Sequence, residues 1–251
     1  MPKTIVVLPT YNEAENLPLM VKALFDLNIE NLSILVVDDN SPDGTGKIAD
    51  DLAAEYPQKV IVLHRAQKNG LGAAYIEAFK KALDMGADYI LHMDCDFSHQ
   101  PKYVPELLAN MENYDLVLGS RWMKGGSVDE SWGFYRKLLS TFANRVYIPT
   151  ILGIPVHDAT GGFRCWRRQT LIGIDLDRIR SKGYVFMVEM VYVTYRLGFR
   201  VKEVPIHFPD RKLGISKMGA GIQIEAATRV WQVMQMHRSL NPEMRRTTAY
   251  T

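Results

Sequence analysis

The chain has 251 residues, with 30 basic and 28 acidic side chains and a formal net charge of +2. This length fits one large domain with its own core, and the balanced charge excludes the strong positive field typical of nucleic-acid binding. The two cysteines, Cys95 and Cys165, make no disulfide framework, which is typical of a reducing compartment. We therefore expect an intracellular protein without a nucleic-acid partner.

No targeting or membrane-spanning segment is visible in the sequence. The apolar run from Ile5 to Leu8 is too short for a signal peptide. A crossing helix needs about 18 apolar residues, and the nearest run, YVFMVEMVYVTY, is interrupted by Glu189. If this protein meets a membrane, we expect it to do so from the side.

In chain order, five short runs rich in β-branched residues predict strands at 4–8, 33–37, 60–64, 89–93 and 115–119. Helix-like segments separate them, and Asn16 with Pro18 predicts a capped helix start. This alternation predicts βαβ units and an α/β fold with a mostly parallel central sheet flanked by helices.

The pattern weakens after Gly119. A glycine-rich loop at 124–127, a helix over about 134–149 and short strands near 163 and 201 follow. We predict a single domain over 1–240, with a Rossmann-like nucleotide-binding half and an irregular half for a second substrate, and a flexible tail over 241–251.

The stretch YILHMDCDFSHQP places two acidic residues at the end of a predicted strand. Side chains alternate faces along a strand, so Asp94 and Asp96 are expected on one side and Cys95 on the other. Two carboxylates in one small volume require a cation, a proton or a ligand. A helix cap near Pro101 is the alternative reading.

Polar loops follow all five predicted strands: PTYNE, DDNSPDGT, HRAQKNGLG, DCDFSH and GSRW. Each alone is compatible with a turn or a helix cap. Ligands of open parallel sheets bind beyond the carboxyl ends of the strands, so the five loops together predict one ligand-binding crevice.

These residues also carry a family resemblance. LPTYNEAENL, VVDDNSPDGTG, KNGLGAAY, MDCDFSHQP, LGSRW, GGFRCWRR and GISKM, over about 4–218, resemble glycosyltransferase family 2 in their order, and in particular its polyprenyl-phosphate (dolichyl-phosphate) mannosyltransferases. The resemblance implies a GT-A fold, Mg²⁺ or Mn²⁺, and inverting transfer of mannose from GDP-mannose to a polyprenyl monophosphate. The product would serve as a sugar donor for later glycosylation.

The resemblance also implies site residues. Asp94, Asp96 and Ser98 match the metal site, where relatives often have glutamine at the Ser98 position, and the shorter Ser98 is expected to act through water. Catalytic positions are Asp96, Arg121 and Arg211, and acceptor-phosphate positions are Arg121, Arg136, Ser140 and Arg211. Nucleotide-sugar positions are Pro9, Tyr11, Glu13, Val37, Asp39, Lys68, Gly70, Asp94, Cys95, Asp96, Arg121 and Lys217.

Two nearby polar residues receive no catalytic assignment. His99 either lines the site or makes a local hydrogen bond. A phosphate monoester, with a second pKa of about 6, is largely ionised at neutral pH, so no general base is required. Asp158 is therefore expected to position substrate or to cap the turn at Gly161.

Other functions remain open at this point. A nucleotidyltransferase would show a glycine- and arginine-rich loop after its first strand, where this chain has PTYNE. A haloacid-dehalogenase-type phosphatase usually carries its D-x-D after the first strand, whereas here the pair follows the fourth. A non-catalytic sugar-nucleotide-binding module is a third alternative. The closest rival is a polyprenyl-phosphate glucosyltransferase that uses UDP-glucose.

The segment 222–240 reads as an amphipathic helix. Ile222, Ala226, Val230, Val233 and Met234 share one face, with Trp231 at its edge, and Glu225, Thr228, Arg229, Gln232 and Gln235 share the other. The face either packs on the sheet or, as we prefer, forms a polyprenyl groove with the helix over 134–149 against the bilayer. We expect peripheral binding at the cytoplasmic face of a membrane, with a membrane-embedded partner as a further source of anchoring.

Overall fold

The computed structural model describes residues 2–67, 70–183, 185–210, 220–248 and 250, and of 220–226 the backbone alone. The strands are β1 (Thr4–Thr10), β2 (Leu32–Asp38), β3 (Val60–His64), β4 (Tyr89–His92), β5 (Leu116–Ser120), β6 (Ser127–Val128), β7 (Arg164–Arg167), β8 (Val201–Pro205) and β9 (His207–Phe208). The main sheet has the order β3-β2-β1-β4-β7-β5-β8, and β6 pairs with β9. Within the main sheet only β7 runs antiparallel to its neighbours.

The helices are α1 (Asn16–Phe25), α2 (Thr45–Glu55), α3 (Leu71–Asp84), α4 (Val104–Asn110), α5 (Phe134–Phe142), α6 (Ile148–Leu152), α7 (Arg168–Ile174), α8 (Val185–Arg196) and α9 (Ala220–His237). A π-helical segment, Ala143–Tyr147, joins α5 to α6. The predicted alternation of strands and helices and the mostly parallel sheet are confirmed.

Two apolar layers cover the sheet because β1 and β2 are apolar on both faces. Ile5 and Val7 pack into one core with α3, α7, α8 and α9, whereas Val6 and Leu8 pack into the other with α1, α2 and α4. The two cores fix the sheet on both sides, so the loops at the carboxyl ends of the strands project from a rigid edge.

Two local expectations need correction. Asn16 is the first residue of α1, and the capping position is occupied by Glu15. The side-chain amide of Asn16 donates a hydrogen bond to the Glu13 carboxylate instead. The expected flexible tail is docked in its described part: Arg245 Nε donates to the carbonyl oxygen of Leu197 at 2.7 Å, and Arg246 Nη1 lies 2.9 Å from Asp175 Oδ1.

The apolar face of α9 belongs to the core. Val230 and Val233 are 3% and 2% exposed and pack in the same core as α8, with Met234 against them. The prediction that this face of α9 forms a polyprenyl groove is therefore wrong, because the described residues of the face pack into the core between the sheet and the helices. The side chains of Ile222, Glu225 and Ala226 lie outside the description.

Candidate active site

The first strands bring their polar ends together at one edge of the sheet. Pro9 pairs with Val37 and Thr10 with Asp38 in the register of β1 and β2. Asp38 turns the following loop, since its carboxylate accepts hydrogen bonds from the Ser41 N–H at 3.1 Å and the Ser41 hydroxyl at 2.5 Å. Asp38 thereby has a structural role, and the next residue, Asp39, is left for other contacts.

Asp39 lies beside a buried arginine that the sequence reasoning missed. Arg65 Nη1 bonds Asp39 Oδ1, and Arg65 Nε donates to Glu77 Oε2 at 2.8 Å. The side chains of Arg65 and Asp39 are only 7% and 10% exposed. Arg65 stands directly after β3 in HRAQKNGLG, so its place at a strand end was the available signal.

The first loop is also tied to α1 and α2. Glu13 Oε2 accepts from the Asn16 amide at 2.8 Å, and the Glu13 N–H donates to Thr45 Oγ1 at 3.0 Å. Tyr11 is half-buried in the same loop. The structure thus places Pro9, Tyr11, Glu13, Val37 and Asp39 along one edge of the sheet, with the side chain of Val37 buried.

Gly70 is required by close packing at the start of α3. Its φ is +94°, and a Cβ there would lie 2.8 Å from the Lys182 carbonyl oxygen. The N–H of Gly72 donates to the same oxygen at 2.9 Å. Three predicted site residues lie outside the described residues: Lys68 and Lys217 of the nucleotide-sugar set, and Arg211 of the catalytic and acceptor-phosphate sets.

The two aspartates of the D-x-D motif lie in a loop, because β4 already ends at His92. The expected strand alternation therefore does not apply: the Asp96 residue is 4% exposed, whereas the Asp94 side chain is 36% exposed. Asp96 Oδ1 accepts from the Ser98 N–H at 3.0 Å and from the Ser98 hydroxyl at 2.5 Å. Ser98 thus orients the Asp96 carboxylate.

The donor set of this loop fits a divalent ion that is completed by substrate. In the part of the chain that the structure describes, no three His, Cys, Asp or Glu side chains are grouped as a metal site. Two carboxylates with the other positions filled by water and substrate phosphate are a usual environment for Mg²⁺. The Cys95 side chain lies in the core at 2% exposure, which raises the pKa of its thiol; only its backbone is left to face a ligand.

His99 makes the local hydrogen bond that was one of its two alternatives. Its Nδ1 accepts the N–H of Asp94 at 2.9 Å, so the ring holds the backbone of the D-x-D loop. The residue is 2% exposed, and burial lowers its pKa despite the nearby carboxylate of Asp94. A neutral His99 is consistent with its accepting role.

Arg121 is anchored by a buried carboxylate. Its Nε lies 2.7 Å from Asp158 Oδ2 and its Nη2 lies 2.8 Å from Asp158 Oδ1 and 2.9 Å from Thr160 Oγ1. Burial lowers the pKa of Arg121, but Asp158 outweighs it and the net pKa is raised. Asp158 also accepts the Gly161 N–H at 3.0 Å, which confirms the predicted cap of that turn.

One aromatic cluster supports the cationic side of the site. It consists of Trp122, Val128, Trp132 and Phe208. The Arg121 guanidinium carbon lies 5.2 Å from the Phe208 ring centroid, and that of Arg136 lies 3.7 Å from the Trp132 centroid. The Trp132 and Phe208 centroids are 5.8 Å apart. Two predicted acceptor-phosphate residues therefore share one scaffold.

Ser140 is connected to Arg121 through two polar residues. Its carbonyl oxygen accepts from the amide of Asn144 at 3.1 Å, and that amide also donates to Thr160 at 2.9 Å. Thr160 in turn accepts from Arg121. The structure thus brings together Asp158, Thr160 and Asn144, which sequence reasoning did not assign to the acceptor side, with Arg121, Arg136 and Ser140.

Comparisons with known proteins give this arrangement a context. Residues 5–173 match the model of the family described as glycosyl transferase family 2. Over 228 residues, 91% of this chain and 92% of the relative, the chain is 49% identical to an undecaprenyl-phosphate mannosyltransferase of Micrococcus luteus. Over 229 residues, 91% of this chain and 85% of the relative, it is 44% identical to a polyprenol monophosphomannose synthase of Mycolicibacterium smegmatis.

Solved structures show the same fold at low sequence identity. A glucosyl-3-phosphoglycerate synthase of Mycobacterium tuberculosis, solved with Mn²⁺, UDP and phosphoglyceric acid, matches with a TM-score of 0.66 at 18% identity, over 95% of this chain and 79% of that one. A mannosyl-3-phosphoglycerate synthase of Rubrobacter xylanophilus matches with a TM-score of 0.59 at 17% identity, over 93% and 73%. The fold is GT-A, as expected.

Proposed function

The chain belongs to glycosyl transferase family 2, and on that premise we propose that it transfers mannose from GDP-mannose to a polyprenyl monophosphate. The observation that carries this proposal is the 49% identity to an undecaprenyl-phosphate mannosyltransferase over nearly the whole of both chains. The site supports it, because an oriented carboxylate, Asp96, and an anchored cation, Arg121, lie at the carboxyl edge of the sheet. Both ligands carry phosphate groups, which an arginine binds directly and a carboxylate binds through a divalent metal ion.

The reaction we propose is a single in-line displacement. A phosphate oxygen of the lipid forms a bond to the anomeric carbon of mannose while the bond to the diphosphate breaks, and GDP leaves with the electron pair. The phosphate is already ionised near neutral pH because its second pKa is about 6. Asp158 is occupied by Arg121 and by the Gly161 N–H, which supports a route without a general base. Inversion at an α-linked donor gives a β-linked product.

Arg121 and Arg136 position the acceptor in this proposal. Guanidinium groups bind phosphate oxygens in a bidentate manner, and holding the nucleophile in line lowers the entropic part of the barrier. Arg121 is held by Asp158 and Thr160 before any ligand arrives. Arg211 is included on the resemblance alone, since it lies outside the described residues.

Asp94 and Asp96 would hold Mg²⁺ or Mn²⁺. A bound divalent ion neutralises the charge that develops on the leaving diphosphate. Ser98 supports this role by orienting Asp96 through two hydrogen bonds, and His99 supports it by holding the Asp94 backbone. The carboxylate of Asp94, which is the more exposed of the pair, is the one that faces outward.

GDP-mannose is our preferred donor, and UDP-glucose is the alternative. Asp39 accepts from Arg65 and keeps further lone pairs for the N–H groups of a base edge. Both guanine and uracil offer such groups, so the preference for guanine derives from the mannosyltransferase names of the relatives. Arg65 fixes the Asp39 carboxylate for either base.

We also propose that the protein binds at the surface of a membrane, on its cytoplasmic face. Among the described residues, no helix has both the length and the apolar character that a crossing requires. Of the ten large apolar side chains that are exposed in the described part of the chain, five lie on α5 and the π-helical segment after it: Phe134, Tyr135, Leu138, Phe142 and Val146. Trp231 and Met236 on α9 are exposed as well, but α5 supplies the main apolar contact in this proposal, and a membrane-embedded partner remains a further source of anchoring.

A direct assay tests the proposal. Purified protein is incubated with polyprenyl phosphate and either GDP-mannose or UDP-glucose, with and without EDTA, and the lipid fraction is analysed by mass spectrometry. We expect a hexose adduct from GDP-mannose that disappears with EDTA, and a β-anomer by NMR. If only UDP-glucose gives product, UDP-glucose is the donor and the proposal of GDP-mannose is wrong. An α-anomer would contradict the single displacement.

A further inference from the structure

A cavity of about 290 Å³ opens between α5 and the loop that leads from β5 to β6. Its lining residues are Arg121, Trp122, Met123, Gly126, Ser127, Val128, Lys137 and Arg145. Three of these are cations and none is an acid. Arg136 and Ser140, the proposed acceptor-side residues of α5, do not line it, but Arg121 does, so the cavity adjoins the proposed acceptor-phosphate site.

The charge of this cavity is only partly compensated within the described chain. Asp158 neutralises Arg121 in a buried pair. The side chains of Lys137 and Arg145 make no hydrogen bond or ion pair with any described residue, and Trp122 has a buried indole N–H that also lacks a partner there. Cations that converge without a carboxylate favour an anionic ligand.

The surroundings of the cavity indicate where that anion comes from. α5 has no buried residue, and its exposed apolar side chains include Phe134 at 82%, Leu138 at 56% and Phe142 at 51% exposure. Lys137 and Arg145 belong to the same helical stretch as this apolar face. An apolar face flanked by Lys and Arg is the pattern of helices that lie in the interface of an anionic bilayer.

We propose that Lys137 and Arg145, and not Arg121 with its partner Asp158, bind the phosphate of an anionic membrane phospholipid beside the proposed site for the acceptor phosphate. The apolar face of α5 enters the interface, and the two cations bind the phosphodiester of a neighbouring lipid. The inference rests on the proposed function only in that both place α5 against a membrane. It adds that lipid charge, and not the acceptor lipid alone, recruits the protein.

Vesicle sedimentation tests this with the full chain. Vesicles of phosphatidylcholine alone are compared with vesicles that also contain phosphatidylglycerol, and neither contains polyprenyl phosphate. We expect binding to the anionic vesicles that weakens with added salt. The double variant Lys137→Gln/Arg145→Gln should lose about 5-fold in affinity for each charge, or about 25-fold together. The control Lys22→Gln/Lys47→Gln removes the same charge from α1 and α2, where both lysines form i,i+4 ion pairs, and should bind like the wild type.

Transfer to polyprenyl phosphate in neutral detergent separates this inference from the proposed function. There the Lys137→Gln/Arg145→Gln variant should keep the wild-type KM for the lipid. A raised KM would overturn the inference, because the cavity would then belong to the acceptor site. Equal binding of the wild type to both kinds of vesicle would also overturn it. A wild type that binds anionic vesicles without any transfer activity would reject the proposed function and leave the lipid site intact.

Discussion

The proposed donor side and the proposed acceptor side of the molecule are built differently. At the end of β2 and in the loop after β4, charged groups are already held by protein partners: Asp39 by Arg65 and Asp96 by Ser98. On α5 no side chain is buried, and large apolar residues are exposed. The donor side is preorganised for a small polar ligand, whereas the acceptor side is completed by something outside the chain.

This difference has an energetic basis. A polar ligand is bound best by groups whose geometry is fixed in advance, because ordering them on binding costs free energy. A long apolar chain is bound by removal of surface from water, which needs no fixed geometry. Each side of the molecule thus suits one of the two proposed substrates.

The largest effect is expected from Asp96→Asn. The change removes charge and keeps shape, so transfer should fall by about 1,000-fold, which corresponds to about 4 kcal/mol, while the thermal midpoint stays close to that of the wild type. Steady-state transfer and a melting curve measure the two quantities. Asp51→Asn on α2, at an exposed ion pair, is the matched control with normal turnover.

Chelation sharpens the same test on the wild type. Near-normal turnover after exhaustive treatment with EDTA would contradict the proposed metal-binding role of Asp94 and Asp96. Activity that returns with Mg²⁺ or Mn²⁺ in the wild type, but not in Asp96→Asn, would place the defect at the metal site.

The next effect concerns a buried carboxylate on α8 that connects the chain just before α8 to α9. Glu189 Oε1 lies 2.8 Å from His237 Nε2, and Glu189 accepts the N–H groups of Arg180 and Ser181. Burial raises the pKa of Glu189, but the hydrogen bonds from His237 and Ser181 outweigh it, so the pKa lies below its ordinary value of 4.5. Loss of this group should cost about 3 kcal/mol of unfolding free energy.

The sign of the pH effect follows from that lowered pKa. The unfolded chain takes up a proton near pH 4.5 and the folded chain only at lower pH, so stability is present above about 4.5 and is lost as the pH falls below it. Glu189→Gln should therefore flatten the acid limb of a urea-unfolding series, whereas the exposed Glu106→Gln should not. An unchanged acid limb in Glu189→Gln would contradict the lowered pKa.

The sequence was sufficient for the elements that alternate regularly. The runs of β1 to β5 are apolar on both faces, so their place in a buried parallel sheet could be predicted. The short strand predicted near 163 is present as β7, but its antiparallel position between β4 and β5 could not be predicted, because it depends on pairing with strands distant in the sequence. For α9 the sequence showed an apolar face, and only the packing of Val230 and Val233 showed what covers it.

The site divided in the same way. Motif order predicted Asp96 and Arg121 as site residues, because their residue types and their positions near strand ends are visible in the sequence. Arg65 and Asp158 were missed as partners because their pairing depends on contacts over 26 and 37 residues of chain. No local pattern records such a distance.

A smaller effect separates the two apolar faces. Val230→Ala should cost about 2 kcal/mol of unfolding free energy because Val230 is in the core. Leu138→Ala should change it by no more than about 0.5 kcal/mol, because Leu138 is more than half exposed. Urea unfolding measures both. Binding to vesicles should show the reverse order, with Leu138→Ala weakened and Val230→Ala normal under folding conditions. A Leu138→Ala variant with full vesicle binding would contradict the assignment of α5.

The smallest effect is expected at the boundary between the two sides. Arg136 stacks on Trp132 and lies 3.5 Å from Asp210, so it is oriented like a donor-side residue, yet its side chain is 45% exposed like the rest of α5. Arg136→Ala should raise the KM for polyprenyl phosphate by about 10-fold and leave the calorimetric Kd for GDP-mannose unchanged. Arg136→Lys keeps the charge but loses the bidentate fork, so it should recover only part of the loss. Arg200→Ala, which removes an exposed arginine paired with Asp115, should alter neither constant. Equal weakening of both ligands in Arg136→Ala would assign Arg136 to the donor side, and the division between the two sides would then run along α5 itself.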